Sequence, residues 1–367
     1  LNNRRTQAPE EDLDADPFGE DGLVRILFIG LDSRAGQTAG HCDAIQFFEM
    51  DKNQGTVRIT AVPRGTYSPL PPGLGTATGD YYISNACGLV GLDYGINQIE
   101  KVLGQQADYL VIVGFSRAVG IIRELQLPAT ETLQWLRHRQ GYAIGEPQRA
   151  HNHSTFLKQM LVKFTPDEHS NLDVPFQYLM YNLLQTDLSF AQARAISHFL
   201  TDLELADHPE KIALAIKPEF AVQNIAYDAD KVDAYLASML NPIKGYLSSD
   251  DYSGKTEAEK ETELLALIEE HGHDSEFVAW SYENKLWLQF EDEQQRMAVQ
   301  FDLTARYAGS LPDLSAQTQV LDDYILEMEY RGLDEWSQKG QELRRQRLLV
   351  PLENLITDYL GTFLFRF

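Results

Sequence analysis

The chain has 367 residues, 43% of them hydrophobic, with 17 Phe and 17 Tyr, enough apolar material for a sizeable core and too much for wholesale disorder. Its formal charge of −24 excludes general nucleic-acid binding, because such a surface repels a phosphate polymer. The only cysteines, Cys42 and Cys87, make neither a disulfide framework nor a cysteine zinc site, and no apolar run is long enough to span a membrane. The sequence opens at Leu1 rather than Met, which is read as a trimmed start from which a signal or anchor has been removed.

Residues 1–22, with Pro9, Pro17 and a run of acids from Glu10 to Asp21, read as a flexible acidic leader. Val24–Leu31 is a nearly continuous apolar run ending at Asp32, the pattern of a strand covered on both faces. Ala44–Met50 and Val57–Val62 are predicted strands, Leu89–Leu103 a helix closed by Gly104, Tyr109–Val113 a strand and Arg117–Leu125 a helix. Alternation of this kind predicts an α/β, or α+β layered, fold: a central mixed sheet flanked by helices. From Ala129 the pattern is helical: Thr130–Arg137, Ser154–Lys163, Phe176–Leu184, Ser189–Leu203 and Ala229–Leu240. Residues 246–275 read as a charged linker and helix. Phe277–Tyr282, Leu286–Phe290 and Met297–Leu303 alternate as in an antiparallel β-meander, before helices at Thr318–Tyr330 and Asn354–Leu360. The predicted layout is therefore a main domain over 23–245 and a smaller C-terminal α+β extension over 276–367, whose aromatic end, Leu360–Phe367, is read as docking onto the body or as a partner surface.

Chemistry concentrates at the strand ends. Asp32 closes the first strand, Asp43 precedes the second and Arg64 follows the third; a loop of small residues between Asp32 and Asp43 lets the two carboxylates meet. A carboxylate pair suits a hard cation such as Mg²⁺ (or Mn²⁺), which shares its oxygen ligands with substrate phosphate. The bland alternative is that these are caps and surface pairs. Arg137, Arg139 and Arg149 offer planar forks suited to phosphate oxygens, or else pair with surplus acids. Cys42 and Cys87 flank the site, either joined or as small buried apolar residues.

The ordered series Ile29-Gly30-Leu31-Asp32-Ser33-Arg34, Cys42-Asp43, Val62-Pro63-Arg64-Gly65-Thr66 and Ser84-Asn85-Ala86 resembles the motif set of LytR-CpsA-Psr proteins, written G-x-D-S-R, R-S-D-T, I-P-R-D-T and I-N-A-A. Arg137-His138-Arg139, then Glu146, Arg149 and Phe156, resembles the family's R-x-R and D-x-x-R-x-x-R-Q-Q-x-F. The likeness covers residues 24–240. It implies a phosphotransferase of the extracytoplasmic cell envelope, membrane-anchored in full length, that moves a glycopolymer from a polyprenyl-pyrophosphate carrier to peptidoglycan or another envelope acceptor. It implies that Asp32 and Asp43 hold Mg²⁺ and that Arg64, Arg137, Arg139 and Arg149 bind phosphate oxygens, with Arg34 and Asn85 as further substrate contacts. An apolar pocket for the isoprenoid is expected between sheet and helices.

The departures are specific. Gly65 stands where the family has Asp, His41 and Cys42 where it has Arg and Ser, Asn152 where it has its second tail Arg, and His153 and Ser154 where it has two Gln. The His151-Asn152-His153 run is a candidate substitute for the lost arginine. A hairpin insertion expected between Leu125 and Arg137 is missing. Two other activities therefore stay open on the same scaffold: pyrophosphate hydrolysis, and silent lipid or glycan binding.

Overall fold

A computed structural model describes residues 16–32, 40–140, 142–166, 174–241 and 255–348. The chain divides into two compact units, Leu1–Gly254 and Lys255–Phe367.

The first unit is built on one mixed sheet. Its strands are β1 (Leu23–Asp32), β2 (His41–Asp51), β3 (Thr56–Ala61), β4 (Tyr109–Gly114), β5 (Gln185–Thr186) and β6 (Ile212–Ile216), in the spatial order β5-β4-β1-β2-β3-β6. β1 lies between an antiparallel β2 and a parallel β4, which explains its continuous apolar run. Leu27 and Ile29 face one layer, where they pack with Ile83 and Cys87 of α1 (Ile83–Leu89) and Ile96, Ile99 and Leu103 of α2 (Leu92–Leu103). Ile26 faces the opposite layer with Phe48, Ile59, Val111 and Ile196. That second layer holds α3 (Phe115–Glu124), α5 (Glu146–Phe164) and α7 (Phe190–Asp202); α4 (Ala129–Arg137), α6 (Val174–Asn182) and α8 (Val232–Leu240) complete the unit.

The predicted helix over Leu89–Leu103 is α2, which starts at Leu92, and α1 before it went unpredicted. Gly91, at φ +117°, turns the chain between α1 and α2, and Gly104, at φ +73°, caps α2 as expected. The short strands β5 and β6 went unpredicted. Helix α5 begins at Glu146, eight residues before the predicted start at Ser154.

The second unit is helical where the meander was expected. The helices are α9 (Glu257–His271), α10 (Ser275–Glu283), α11 (Glu293–Ser310) and α12 (Leu314–Tyr330), followed by a helical run over 334–348. Buried residues on α11 fall at Met297, Gln300, Thr304 and Ala308 and at Val299 and Leu303, a spacing of three and four that includes polar members. Reading only the apolar ones made the period look like two. Asp274, Asp292 and Asp313 mark the three helix starts, their carboxylates accepting from the backbone N–H of Glu276, Gln295 and Ala316. Met297, Tyr324, Met328 and Trp336 form this unit's own core. The expected helix at Asn354–Leu360 and the aromatic end at Leu360–Phe367 lie outside the described residues.

Candidate active site

A cavity of about 550 Å³ lies between the sheet and the α3, α5 and α7 layer of the first unit. Its walls are mostly apolar, with Phe28, Val113, Ile121, Leu157, Met180 and Phe190 among them. Asp32, Asp43, Arg137, Arg149 and His153 line it as well. An apolar chamber with a few convergent charged groups is the usual form of a small-molecule site.

The pairing of β1 with β2 explains how Asp43 reaches the cavity. Gly30 pairs with Ala44 but Leu31 pairs with Cys42, so Asp43 is an extra, bulged residue with no partner on β1. Alternation along an unbroken strand would put Asp43 on the same side as Ile45 and Phe47, inside the α1–α2 layer. With the bulge, Asp43, Ala44 and Gln46 all line the cavity while Cys42 turns the other way. Cys42 there forms a disulfide with Cys87 of α1, their Cα atoms 6.0 Å apart. Gly30 is needed at the bulge, since a Cβ on it would come within 2.8 Å of the Ala44 Cβ.

Four charged side chains then close a ring. Arg64 Nη1 donates to Asp43 Oδ1 at 2.8 Å, and Arg64 Nε lies 3.5 Å from Glu146 Oε2. Arg149 Nε donates to Glu146 Oε1 at 2.9 Å, and its Nη2 donates to the Asp43 carbonyl at 2.9 Å. Glu146 is the first residue of α5, where a negative charge meets the positive end of the helix. Burial pushes the Asp43 carboxyl up, but the Arg64 and Arg149 guanidiniums outweigh it and hold the group below its ordinary range. Asp43 is therefore ionised at neutral pH.

The first two turns of α5 are buried although they are polar, because each side chain has a partner. Ser154 Oγ donates to Gln46 Oε1, whose amide donates to the Ala150 carbonyl at 3.0 Å. Asn152 donates to the Tyr142 hydroxyl at 3.1 Å, and His151 Nε2 lies 2.7 Å from Asn224 Oδ1. Of the His151-Asn152-His153 run only His153 lines the cavity. Burial and the neighbouring Arg149 charge push its imidazole down to about 4, so it is neutral and supplies no substitute for an arginine's charge.

The other expected site residues fall as follows. Arg137, the last residue of α4, is exposed and lines the cavity; Arg139 is half-buried and does not. Asn85 is on α1, donates to the Gly79 carbonyl at 2.7 Å and does not line the cavity either. Arg34 lies outside the described residues. His138 is buried edge-to-face on Tyr142 at 5.1 Å, a packing role.

Residues 2–128 match the LytR_cpsA_psr family model. This segment, about a third of the chain, is similar to the LytR-CpsA-Psr family. The family acts in cell-wall glycopolymer transfer, in the extracytoplasmic envelope. Among solved structures, the chain is similar to B. subtilis TagV, at 16% identity over 62% of this chain and 99% of that one, with a TM-score of 0.45. It is similar to TagT bound to LI-WTA, at 18% identity over 62% and 93%, with a TM-score of 0.40. A transcriptional regulator from Enterococcus faecalis matches at 12% identity over 68% and 94%, with a TM-score of 0.43. No curated protein matches.

Two features of this site escaped the sequence. One is the bulge that aims Asp43, which pairing alone reveals. The other is the role of Glu146 as the carboxylate between Arg64 and Arg149. The family resemblance implies a divalent ion at this site. Asp32 and Asp43 line one cavity, and the Arg64 bond uses Oδ1 of Asp43. Among the described residues no group of three or more His, Cys, Asp or Glu is placed to hold a metal. A pair of carboxylates without a protein cage fits Mg²⁺, which completes its shell with water and substrate phosphate. No helix among the described residues is long and apolar enough to cross a membrane.

Proposed function

We propose that the chain transfers a glycopolymer from a polyprenyl-pyrophosphate carrier to a cell-wall acceptor, with Mg²⁺ shared between Asp32, Asp43 and the pyrophosphate. The observation that carries this reading is the cavity itself: apolar walls suited to an isoprenoid, and in the same wall two carboxylates with Arg137 and Arg149. The ion would neutralise pyrophosphate charge and polarise its oxygens. Arg137 and Arg149 orient the phosphates through fork-shaped donors, and Arg64 keeps Asp43 ionised and aimed. His153, neutral at physiological pH, adds no competing charge. The acceptor hydroxyl attacks the glycan-linked phosphorus and the bridging P–O bond breaks. The carrier then leaves as its monophosphate, which takes up the hydroxyl proton. Catalysis of this kind rests on positioning and charge stabilisation. A disulfide beside the site agrees with an oxidising compartment outside the cytoplasm.

The test is release of carrier monophosphate from a short-chain polyprenyl-pyrophosphate glycan, with and without Mg²⁺. Turnover is expected to need the ion and to fall at least a hundredfold in Asp43→Asn and in Arg64→Ala. Undiminished turnover in both variants would overturn the assignment. Carrier release without any acceptor would instead indicate hydrolysis, and tight lipid binding without release a silent module.

A further inference from the structure

Arg137 ends α4 and reaches the cavity with an exposed side chain. Arg64 and Arg149 are each tied to a carboxylate, but among the described residues no hydrogen bond or ion pair holds the Arg137 guanidinium. A long side chain of this kind keeps its rotamer freedom, so its aim depends on how firmly the backbone beneath it is placed.

Both neighbours of Arg137 are pinned. On one side, His153 Nε2 lies 2.6 Å from the Leu136 carbonyl. A carbonyl only accepts, so that nitrogen carries the proton of the neutral ring. On the other side, the buried His138 ring packs edge-to-face on Tyr142, with centroids 5.1 Å apart. Tyr142 is held in turn by its hydroxyl, which accepts from Asn152 Nδ2 at 3.1 Å and lies 2.9 Å from the Tyr235 hydroxyl of α8. Burial and Tyr235 push the Tyr142 hydroxyl up, so it keeps its proton.

The bonds behind Tyr142 run in one direction. The Gln223 backbone N–H donates to Gln148 Oε1 at 3.0 Å, which fixes the Gln148 amide. Gln148 Nε2 then donates to the Gln223 carbonyl at 2.7 Å and to Asn152 Oδ1 at 2.8 Å. Asn152 must therefore turn its nitrogen to Tyr142, and the Tyr142 proton goes to Tyr235. An arginine at 152 has donors only and could not accept from Gln148. Asn152 is 1% exposed, so a bond broken there is not replaced by bulk solvent.

We infer that Asn152 and Tyr142, together with His153, are positioning residues for Arg137: they pin the residues on either side of it and so hold its guanidinium toward the pyrophosphate's place in the cavity. Position 152, where the resembling family carries an arginine, thus serves another arginine instead of the ligand. The inference rests on the proposed binding of pyrophosphate by Arg137.

The experiment is calorimetric titration of the whole chain with geranyl pyrophosphate and Mg²⁺, run as a double-mutant cycle between Tyr142→Phe and Arg137→Ala. Tyr142→Phe keeps the ring against His138 and removes only the hydroxyl. Losing that hydrogen-bonded anchor is expected to weaken binding about fivefold, and Arg137→Ala at least as much. In the Arg137→Ala background the same tyrosine change should cost less than about twofold, because the group it positions is gone. Asn152→Arg is expected to weaken binding as Asn152→Leu does. An equal loss from Tyr142→Phe in both backgrounds would mark a merely structural role and overturn the inference. So would tighter binding by Asn152→Arg, which would make position 152 a ligand contact. No binding by the unaltered protein, or normal binding by Arg137→Ala, would defeat the donor reading and this inference together. Weakened binding by Arg137→Ala beside normal binding by Tyr142→Phe would defeat this inference alone.

Discussion

The disulfide between Cys42 and Cys87 ties the bulged strand to helix α1 across a separation of 45 residues. Chain-entropy arithmetic for a loop of that length gives about 4 kcal/mol of stabilisation through the unfolded state. Both sulfurs are buried among Leu27, Ile29 and Ile45, so the perturbation of choice is the double change Cys42→Ala and Cys87→Ala, which leaves no hydroxyl in an apolar layer. For a unit of this size, about 4 kcal/mol corresponds to a fall of roughly 8–16 °C in melting temperature. Differential scanning calorimetry of the whole chain should show that fall only in the transition of the first unit. Reductant should reproduce it in the unaltered protein and do nothing in the variant. The neighbouring Gly95 provides a second probe, because a Cβ there would overlap Cys87 Sγ, so Gly95→Ala should destabilise the same transition. A fall under about 2 °C in the double variant would refute the idea that this crosslink holds β2 and α1 together.

Narrowing the apolar cavity should separate lipid from pyrophosphate recognition. Leu157→Trp, if it displaces two methylenes of the carrier, weakens a long-chain donor by about 1.6 kcal/mol, roughly fifteenfold, while a short-chain analogue binds as before. His153 is neutral in the fold at a pKa of about 4, against an ordinary 6.5, so the unfolded chain binds more protons between those values. Its contribution is complete above pH 6.5 and is lost as pH falls toward 4, up to about 3 kcal/mol; urea unfolding should lose part of its acid slope in His153→Gln, and an unchanged slope would contradict this. Glu146→Ala should lower transfer by freeing Arg64 and Arg149, and Gly65→Asp, whose Cβ lies 4.0 Å from Glu146 Cγ, should recover part of it; no recovery would argue against a shared carboxylate role.

The parts of the fold that read directly from sequence are those where chemistry and period agree. β1 declares itself because a parallel neighbour and two covering layers demand apolar residues at every position. Motif order picks out Asp32, Asp43 and Arg149, which line one cavity, and Arg64, which bonds Asp43. The start of α5 was not, since Gln148, His151, Asn152 and Ser154 are buried by pairing with other polar groups rather than by being apolar, and a hydrophobic period cannot register that. The second unit misled for the same reason, with Gln300 and Thr304 inside its core face. The bulge at Asp43 has no local signature, because it exists only in the register between two strands.

The departures from the family pattern have a common direction. Gly65 replaces an acid, yet Glu146 lies beside the vacated space and holds the same Arg64. Asn152 replaces an arginine, and it faces Tyr142 and Gln148, away from the cavity wall. His153 replaces a glutamine that carries no charge, and burial keeps the imidazole uncharged as well. The change at 65 removes a negative charge and the change at 152 a positive one, so the two together leave the net charge as it was. What the first of them alters is steric: with no side chain at 65, a Cβ there would meet only Glu146 Cγ, at 4.0 Å.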